Sequence, residues 1–598
     1  VTERTFLPSR VHLDAVQPYR IPEFERTGFL RLDINEHPGG APAFVVQAVH
    51  AALTSQSLAT YPVYAEWHAQ AAQFFGIQPS QVTCTAGGDE AIKALCEAHL
   101  LPGKALLTVE PGYDMFRIWA QLYGNPLRGV SLDPDFALDT EAWLAALTPD
   151  VGLVALVTPN NPTGTVIDRQ VLEKTLERVQ CPVLIDETYA EFVQHTATDL
   201  IARHPHLFIV RSFSKVHGLA GLRVGAILSQ AQNIQGLRRV LNPFNVNRAA
   251  IAASLAVMRH PDHCAAHVAE VTAAREQFTF DLGQLGVRTG PATANFVLAN
   301  LADRAAEVTE RLAAEAILVR NRTGTHPRLD GYCRIAIGSP TQMRRAFGAI
   351  RKVLAPPPRL GALLLDFDGP MADVSHSYRK AILDTARALL ARDGAPHEVL
   401  DQCNAERVEG LKRLGGLNND WDCTAALIAD LGGAVAYDDI VQTFQSLYWG
   451  EEGDGLIATE PWRLDAQTCR ILTQFHTAIV TGRPRREALW TLQRHACTQV
   501  WPVVVAMEDM TVQKPAPDGI LQALAQLGVS PERAAYLGDG VDDMTAARAA
   551  GVLPLGVLPA TEGDAHAPWQ TGLCERLYEA GAHAVFASVQ EVLTWLQA

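Results

Sequence analysis

Three consecutive prolines, Pro356-Pro357-Pro358, interrupt an otherwise regular alternation of apolar runs and helical segments. Such a run cannot continue a helix or occupy a central strand, so it reads as a short stiff linker over 355–360. Before it, the runs 106–109, 153–157, 183–185 and 207–210 lack the polar-apolar alternation of a half-exposed sheet. Strands buried on both faces and separated by helices predict a mainly parallel sheet. The pattern restarts at 362–365 and continues at 477–480, 503–505 and 534–537. Two α/β regions in tandem are therefore expected, 1–354 and 361–598, with a mainly helical insertion at about 375–460.

A chain of 598 residues has material for about four structural units. Hydrophobic residues make up 48%, enough to fill several cores, and disorder as a dominant state is excluded. The 50 Lys and Arg are outnumbered by 65 Asp and Glu, a net charge of -15. That balance argues against nucleic acid or an anionic membrane as the main partner. No apolar run approaches the ~18 residues of a membrane span. Val1-Thr2-Glu3-Arg4 lacks the apolar stretch of a secretory signal, and the ten scattered cysteines show no metal or redox spacing. A reduced, cytoplasmic enzyme is expected.

In the first region the strongest local signal is Arg211-Ser212-Phe213-Ser214-Lys215, with Arg223 eight residues beyond the lysine. A lysine beside two hydroxyls and a guanidinium, all following an apolar strand, suits an aldehyde cofactor that bears a phosphate: the amine forms the Schiff base and the others hold the phosphate. A lone lysine after a strand is usually a solvated surface residue, but three other motifs accompany this one. Asp186 ends the apolar run 183–185, where a buried carboxylate can pair with a pyridinium nitrogen. The turn Thr158-Pro159-Asn160-Asn161-Pro162-Thr163-Gly164 can present an amide to a ring hydroxyl, and Gly87-Gly88-Asp89-Glu90 opens a helix whose N–H groups would bind phosphate.

Together these motifs resemble the fold-type I pyridoxal-phosphate aminotransferases, and among them the histidinol-phosphate aminotransferases, over about residues 10–353. The early Leu32-Asp33-Ile34-Asn35-Glu36-His37-Pro38 and Glu110-Pro111-Gly112-Tyr113 belong to the same likeness. The resemblance implies a large parallel-rich sheet domain with a small domain, and pyridoxal 5'-phosphate as cofactor. It makes Lys215 the Schiff-base lysine and proton shuttle, and Asp186 the partner of the ring nitrogen. Asn161 and Tyr189 fall to the ring hydroxyl, Tyr113 stacks on the ring, and Gly88, Asp89, Ser212, Ser214 and Arg223 hold the phosphate. Tyr61 would reach that phosphate from the other subunit of a homodimer. Arg334 and Arg320 would bind the phosphate of the substrate, two guanidinium groups suiting a dianion. His217 and Thr60 depart from the family pattern, at positions where an aromatic or apolar residue and an arginine are usual.

After the linker, Leu365-Asp366-Phe367-Asp368-Gly369 ends an apolar run with two carboxylates. They can serve as nucleophile and general acid/base, but a carboxylate cannot attack an anionic phosphate without charge neutralisation, so Mg2+ is required. Further ligands come from Asp539 and Asp543 after the run 534–537. Thr481 offers a hydroxyl at a strand tip, and Lys514 can balance the acids. In this order the four motifs resemble the haloacid dehalogenase superfamily of phosphatases over 361–598. That likeness implies a Rossmann-like core, a helical cap, and metal binding by Asp366, Asp368, Asp539 and Asp543. Within the cap, the polar stretch 415–421 reads equally as a substrate loop or a capped helix start.

The fusion suggests one bifunctional enzyme: a transaminase for a small phosphorylated substrate, with glutamate and 2-oxoglutarate as the amino pair, joined to a phosphatase. Histidinol phosphate would be the product of the first half and the substrate of the second, as in histidine biosynthesis. A threonine-phosphate decarboxylase-like first half shares most of the same cofactor residues and stays open. A ligand-sensing regulator built on an aminotransferase fold would carry an N-terminal helix-turn-helix, for which the roughly thirty residues before Asp33 leave little room.

Overall fold

The computed structural model describes residues 16, 23–413, 419–559 and 568–597, so most of the polar stretch 415–421 lies outside the described residues. The chain divides into two compact units that meet between Val353 and Leu354. No described helix is long and apolar enough to cross a membrane.

In the first unit, β1 (Leu30–Leu32) precedes seven strands that form one sheet: β2 (Val82–Thr85), β3 (Ala105–Glu110), β4 (Leu127–Ser131), β5 (Val151–Val157), β6 (Val183–Asp186), β7 (Leu207–Ser212) and β8 (Gly225–Leu228). Their order is β2-β8-β7-β6-β5-β3-β4, and β8 alone runs antiparallel to its neighbours. β5, β6 and β7 are buried at every position, as expected of strands covered on both faces. β9 (Phe296–Asn300), β10 (Ile317–Asn321) and β11 (Tyr332–Ala336) join β1 in a second, four-stranded sheet.

The parallel register fixes where chemistry can sit. Val157, Asp186 and Val210 lie side by side at the carboxyl ends of β5, β6 and β7. The turns that follow therefore open on the same edge, the usual site-forming edge of a parallel sheet. β2 points the same way, so the helix Gly87–His99 also begins there.

The second unit is built on six parallel strands, β12 (Ala362–Leu365), β13 (His476–Val480), β14 (Val503–Val505), β15 (Ala534–Gly538), β16 (Leu553–Val557) and β17 (Ala584–Phe586). The order β14-β13-β12-β15-β16-β17 puts β12 at the centre. Asp366, Thr481 and Asp539 immediately follow the three central strands. Between β12 and β13 an insertion carries the helices Ser377–Arg392, His397–Asp401, Ala405–Arg413, Asp420–Asp430 and Tyr437–Tyr448 around an apolar cluster of their own. Its two connections run side by side, bridged at Ala372 and Trp462, with Asp373 N donating to Pro461 O and Arg463 N to Met371 O, both at 2.9 Å.

Candidate active sites

On the edge of the first sheet, Lys215 is half-buried and its Nζ donates to Ile34 O at 3.1 Å. Burial, reinforced by the positive charge of Arg334, pulls its amine down to about 8. A part of the population is thus uncharged near neutral pH, as a nucleophilic lysine requires. Asp186 has the complementary shift: burial pushes it up to about 6, against the pull of Thr188 N (2.9 Å) and Thr188 Oγ1 (2.6 Å), both of which donate to its Oδ1. A buried carboxylate with so little neutralisation matches a cationic ring nitrogen. Tyr189 Oη accepts from Asn35 Nδ2 at 3.1 Å, and the buried Arg334 donates to Asn161 Oδ1 (2.6 Å) and Asp33 O (2.7 Å). Lys215, Asp186, Asn161 and Tyr189 come to this edge from three separate stretches of chain, Asp186 and Tyr189 sharing the one that ends β6.

A cradle for a phosphate lies at the start of the helix Gly87–His99. Asp89 takes the hydroxyl of Tyr113 at 2.8 Å on one oxygen and Arg223 Nη2 at 2.9 Å on the other, while Arg223 Nη1 lies 3.5 Å from Ser214 Oγ. Ser214 N donates to Ser212 Oγ at 3.2 Å. Gly87 keeps the cradle open, since a Cβ on it would stand 2.5 Å from Arg223 Nη2, whereas one on Gly88 would make only ordinary contacts at 3.6–4.0 Å. Helix N–H groups, two hydroxyls and a guanidinium fit a phosphate monoester, and the half-buried lysine and buried aspartate fit the ring that would carry it.

Arg320 and Arg334 are directly opposed across β10 and β11, so their side chains leave the same face of the hairpin. Tyr61, by contrast, is 73% exposed and stacks on Phe244 with 4.3 Å between ring centroids, so it takes no part in the site of its own chain. His217 is buried with its ring 5.1 Å from that of Phe213, and burial lowers it to about 4, leaving it a neutral aromatic filler. Thr60 does not replace a missing guanidinium: Arg248 Nη2 reaches its hydroxyl at 3.2 Å and the carbonyl oxygens of Thr60 (3.3 Å) and Tyr61 (3.2 Å).

In the second unit, carboxylate oxygens of Asp366, Asp539 and Asp543 lie within 4.8 Å of one another. Burial pushes Asp366 up to about 7 and Asp539 well above the usual carboxylate range, each helped by its acidic neighbours. Lys514 stands between two of them, 2.9 Å from Asp366 Oδ1 and 2.7 Å from Asp543 Oδ1, and these acids push its amine upward despite burial. One ammonium leaves three clustered acids under-neutralised, so an oxygen-ligated dication such as Mg2+ fits the donor set. Gly369 makes room for it: a Cβ there would fall 2.0 Å from Asp539 Oδ2. Thr481 is fully buried beside β12, its Oγ1 accepting from Arg483 N at 3.0 Å.

Asp368, expected among the metal ligands, is not one of this trio, and its carboxylate is engaged by an arginine instead. Its Oδ1 accepts from Arg483 Nε at 3.0 Å and from Nη2 as well. Arg483 is the main residue that the motifs did not single out, although it stands two positions after Thr481. Asn35, whose amide meets Tyr189, was likewise visible within the early Asp33–Pro38 segment without a role. Arg322, buried and 3.4 Å from Asp114, the residue after Tyr113, had no signal beyond lying two residues after Arg320.

Residues 27–350 match the family model for class I and II aminotransferases, and residues 360–551 match that for haloacid dehalogenase-like hydrolases. Histidinol-phosphate aminotransferase of Thermococcus gammatolerans is 33% identical over 324 residues, covering 54% of this chain and 90% of that protein. The enzyme of the same name from Roseiflexus castenholzii is 33% identical over 338 residues, covering 54% and 89%. Among solved structures, histidinol-phosphate aminotransferase from Sinorhizobium meliloti, in complex with pyridoxal-5'-phosphate, shares the fold with a TM-score of 0.51 at 23% identity, over 54% of this chain and 90% of its own. The chain belongs to the class I and II aminotransferase family, with a histidinol-phosphate aminotransferase-like first half fused to a haloacid dehalogenase-like phosphatase domain.

Proposed function

We propose that the protein transaminates a phosphorylated substrate in residues 1–354 and removes the phosphate of the product in 361–598, with 355–360 as the linker. The observation that carries this reading is the opposed pair Arg320 and Arg334 on neighbouring strands, of which Arg334 reaches Asn161 in the first site. Two such groups suit a phosphate dianion, and the second half is a phosphatase. The substrates we assign are histidinol phosphate and imidazole-acetol phosphate, with glutamate and 2-oxoglutarate as the amino pair. That places the protein in histidine biosynthesis.

In the first half, pyridoxal 5'-phosphate supplies an electron sink for the substrate Cα carbanion when bound. Lys215 Nζ would hold the cofactor and, once the substrate amine has displaced it, would take the proton from the substrate Cα as a free amine. Asp186 holds the ring nitrogen protonated, Asn161 and Tyr189 orient the ring hydroxyl, and Tyr113 covers the ring. Gly88, Asp89, Ser212, Ser214 and Arg223 bind the cofactor phosphate. We assign Tyr61 to the same phosphate in a second copy, its exposure in a single chain supporting a homodimer.

In the second half, Mg2+ held by Asp366, Asp539 and Asp543 neutralises charge at phosphorus when bound. Asp366 attacks phosphorus, and the bond to the leaving oxygen breaks as Asp368 donates a proton to that oxygen. Water then attacks the phosphorus, yields its proton to Asp368, and restores the Asp366 carboxylate. Thr481 binds a phosphoryl oxygen, and Lys514 holds Asp366 ionised.

One reaction tests the whole reading: imidazole-acetol phosphate plus glutamate, with histidinol phosphate, histidinol and free phosphate followed in time. Histidinol phosphate should rise first and then give equimolar histidinol and phosphate. Transamination of this ketone without phosphate release, or the reverse, would break the shared-substrate assignment.

A further inference from the structure

Arg483 is fully buried, and a buried guanidinium is costly unless it is compensated by carboxylates of good geometry. Two compensate it, and they come from different parts of the second unit. Asp368 lies on the core turn after β12. Glu460, 3.0 Å from Arg483 Nη2, is the last residue before the paired hinge segments that join the helical insertion to the core. Glu460 is itself held by insertion residues at both ends of that segment, accepting on Oε1 from Ser377 Oγ at 2.6 Å and Tyr448 Oη at 2.8 Å. The guanidinium also lies over Phe367, 4.7 Å from the ring centroid, and 5.5 Å from that of Tyr378.

The contact with Asp368 is one-sided. Both Arg483 donors go to Oδ1, and among the described residues Oδ2 accepts no hydrogen bond. A fork-to-fork pair would occupy both oxygens; this arrangement fixes the carboxyl plane and leaves one oxygen for proton transfer. We propose that Arg483 is the positioning residue of the phosphatase half: it aims Asp368 at the leaving oxygen, and Glu460 makes that aim depend on the helical insertion being seated on the core. The inference rests on the reading of Asp366 as nucleophile and Asp368 as general acid/base.

Arg483→Lys keeps the charge but cannot span two carboxylates. The measurement is kcat/KM for a series of phosphate monoesters, from p-nitrophenyl phosphate to simple alkyl phosphates. A phenol of low pKa leaves without a proton, whereas an alcohol needs one. The expected result is a roughly hundredfold loss for alkyl phosphates and less than about threefold for p-nitrophenyl phosphate. Glu460→Gln retains acceptors for Ser377 and Tyr448 and should shift the series the same way by about tenfold, which keeps the test alive if the lysine variant fails to fold. Equal losses along the series in both variants would mean a structural role only and overturn the proposal, as would no loss in either. Asp366→Asn, run in parallel, separates the two readings. Phosphate release surviving that change sinks the nucleophile assignment, whatever Arg483 does.

Discussion

Each half of the molecule holds one half-buried lysine at the carboxyl edge of a parallel sheet, and the two are shifted in opposite directions. Lys215 is met by a backbone carbonyl and the charge of Arg334, so desolvation wins and the amine falls to about 8. Lys514 is likewise half-buried, yet Asp366 and Asp543 at 2.9 and 2.7 Å reverse the sign. Position in the fold does not set the role of such a lysine; the charges within about 4 Å do. Lys215 is arranged to be an amine that reacts, and Lys514 a cation that stays one.

The largest effects should come from removing the reacting groups themselves. Lys215→Ala should abolish the visible absorption of the bound cofactor and reduce transamination by at least about 10⁴-fold, with phosphatase activity unchanged. Asp366→Asn should do the converse, losing phosphate release by a similar factor with the visible spectrum intact. Simultaneous loss of both activities in either variant would contradict two independent sites. Lys514→Ala comes next: without its cation, Asp366 is driven further toward the neutral acid, and hydrolysis should fall about 10²–10³-fold. A fall of that size in transamination instead would break the contrast between the lysines.

How much of this was readable beforehand depended on whether a feature was local. The runs that became β3, β5, β6, β7, β12, β13, β14 and β15 are apolar and continuous, which is what burial on both faces demands. β4 carries Arg128 and Ser131 on a half-exposed edge, and β16 contains Pro554 and Gly556, so neither announced itself. The residues at the carboxyl ends of strands were legible as a set because parallel strands bring their ends together. What the sequence could not reveal were contacts set by tertiary packing. Asn35 meets Tyr189 across 154 residues, Arg483 meets Asp368 across 115, and the second contact engages Asp368 apart from the acids it was grouped with.

The hairpin of β10 and β11 offers a smaller and sharper test of the first half. If the pair grips phosphate as proposed, Arg320→Ala removes a charge-assisted contact of about 1.5–3 kcal/mol, and kcat/KM for phosphorylated substrates should fall roughly 10- to 150-fold. Unphosphorylated amino acceptors should be little affected. Equal losses for both substrate types would mean that Arg320 supports the hairpin rather than reads the phosphate.

The smallest effect tests the lysine contrast directly through pH. A base whose value is lowered releases its proton earlier as pH rises, so the reactive form of Lys215 appears near neutrality. With a value of about 8, roughly a tenth of it is neutral at pH 7 and nine tenths at pH 9. Loading of cofactor-free protein with pyridoxal 5'-phosphate, followed by borohydride reduction and mass spectrometry, should therefore mark Lys215 about tenfold faster at pH 9 than at pH 7. The rate should level off above that. Lys514, held as an ammonium by two acids, should stay unmarked throughout. Arg334→Ala removes the positive neighbour that helps to depress Lys215, so its inflection should move to higher pH. An inflection that stays put would leave desolvation as the whole cause, and one that moves down would reverse the sign assigned to Arg334.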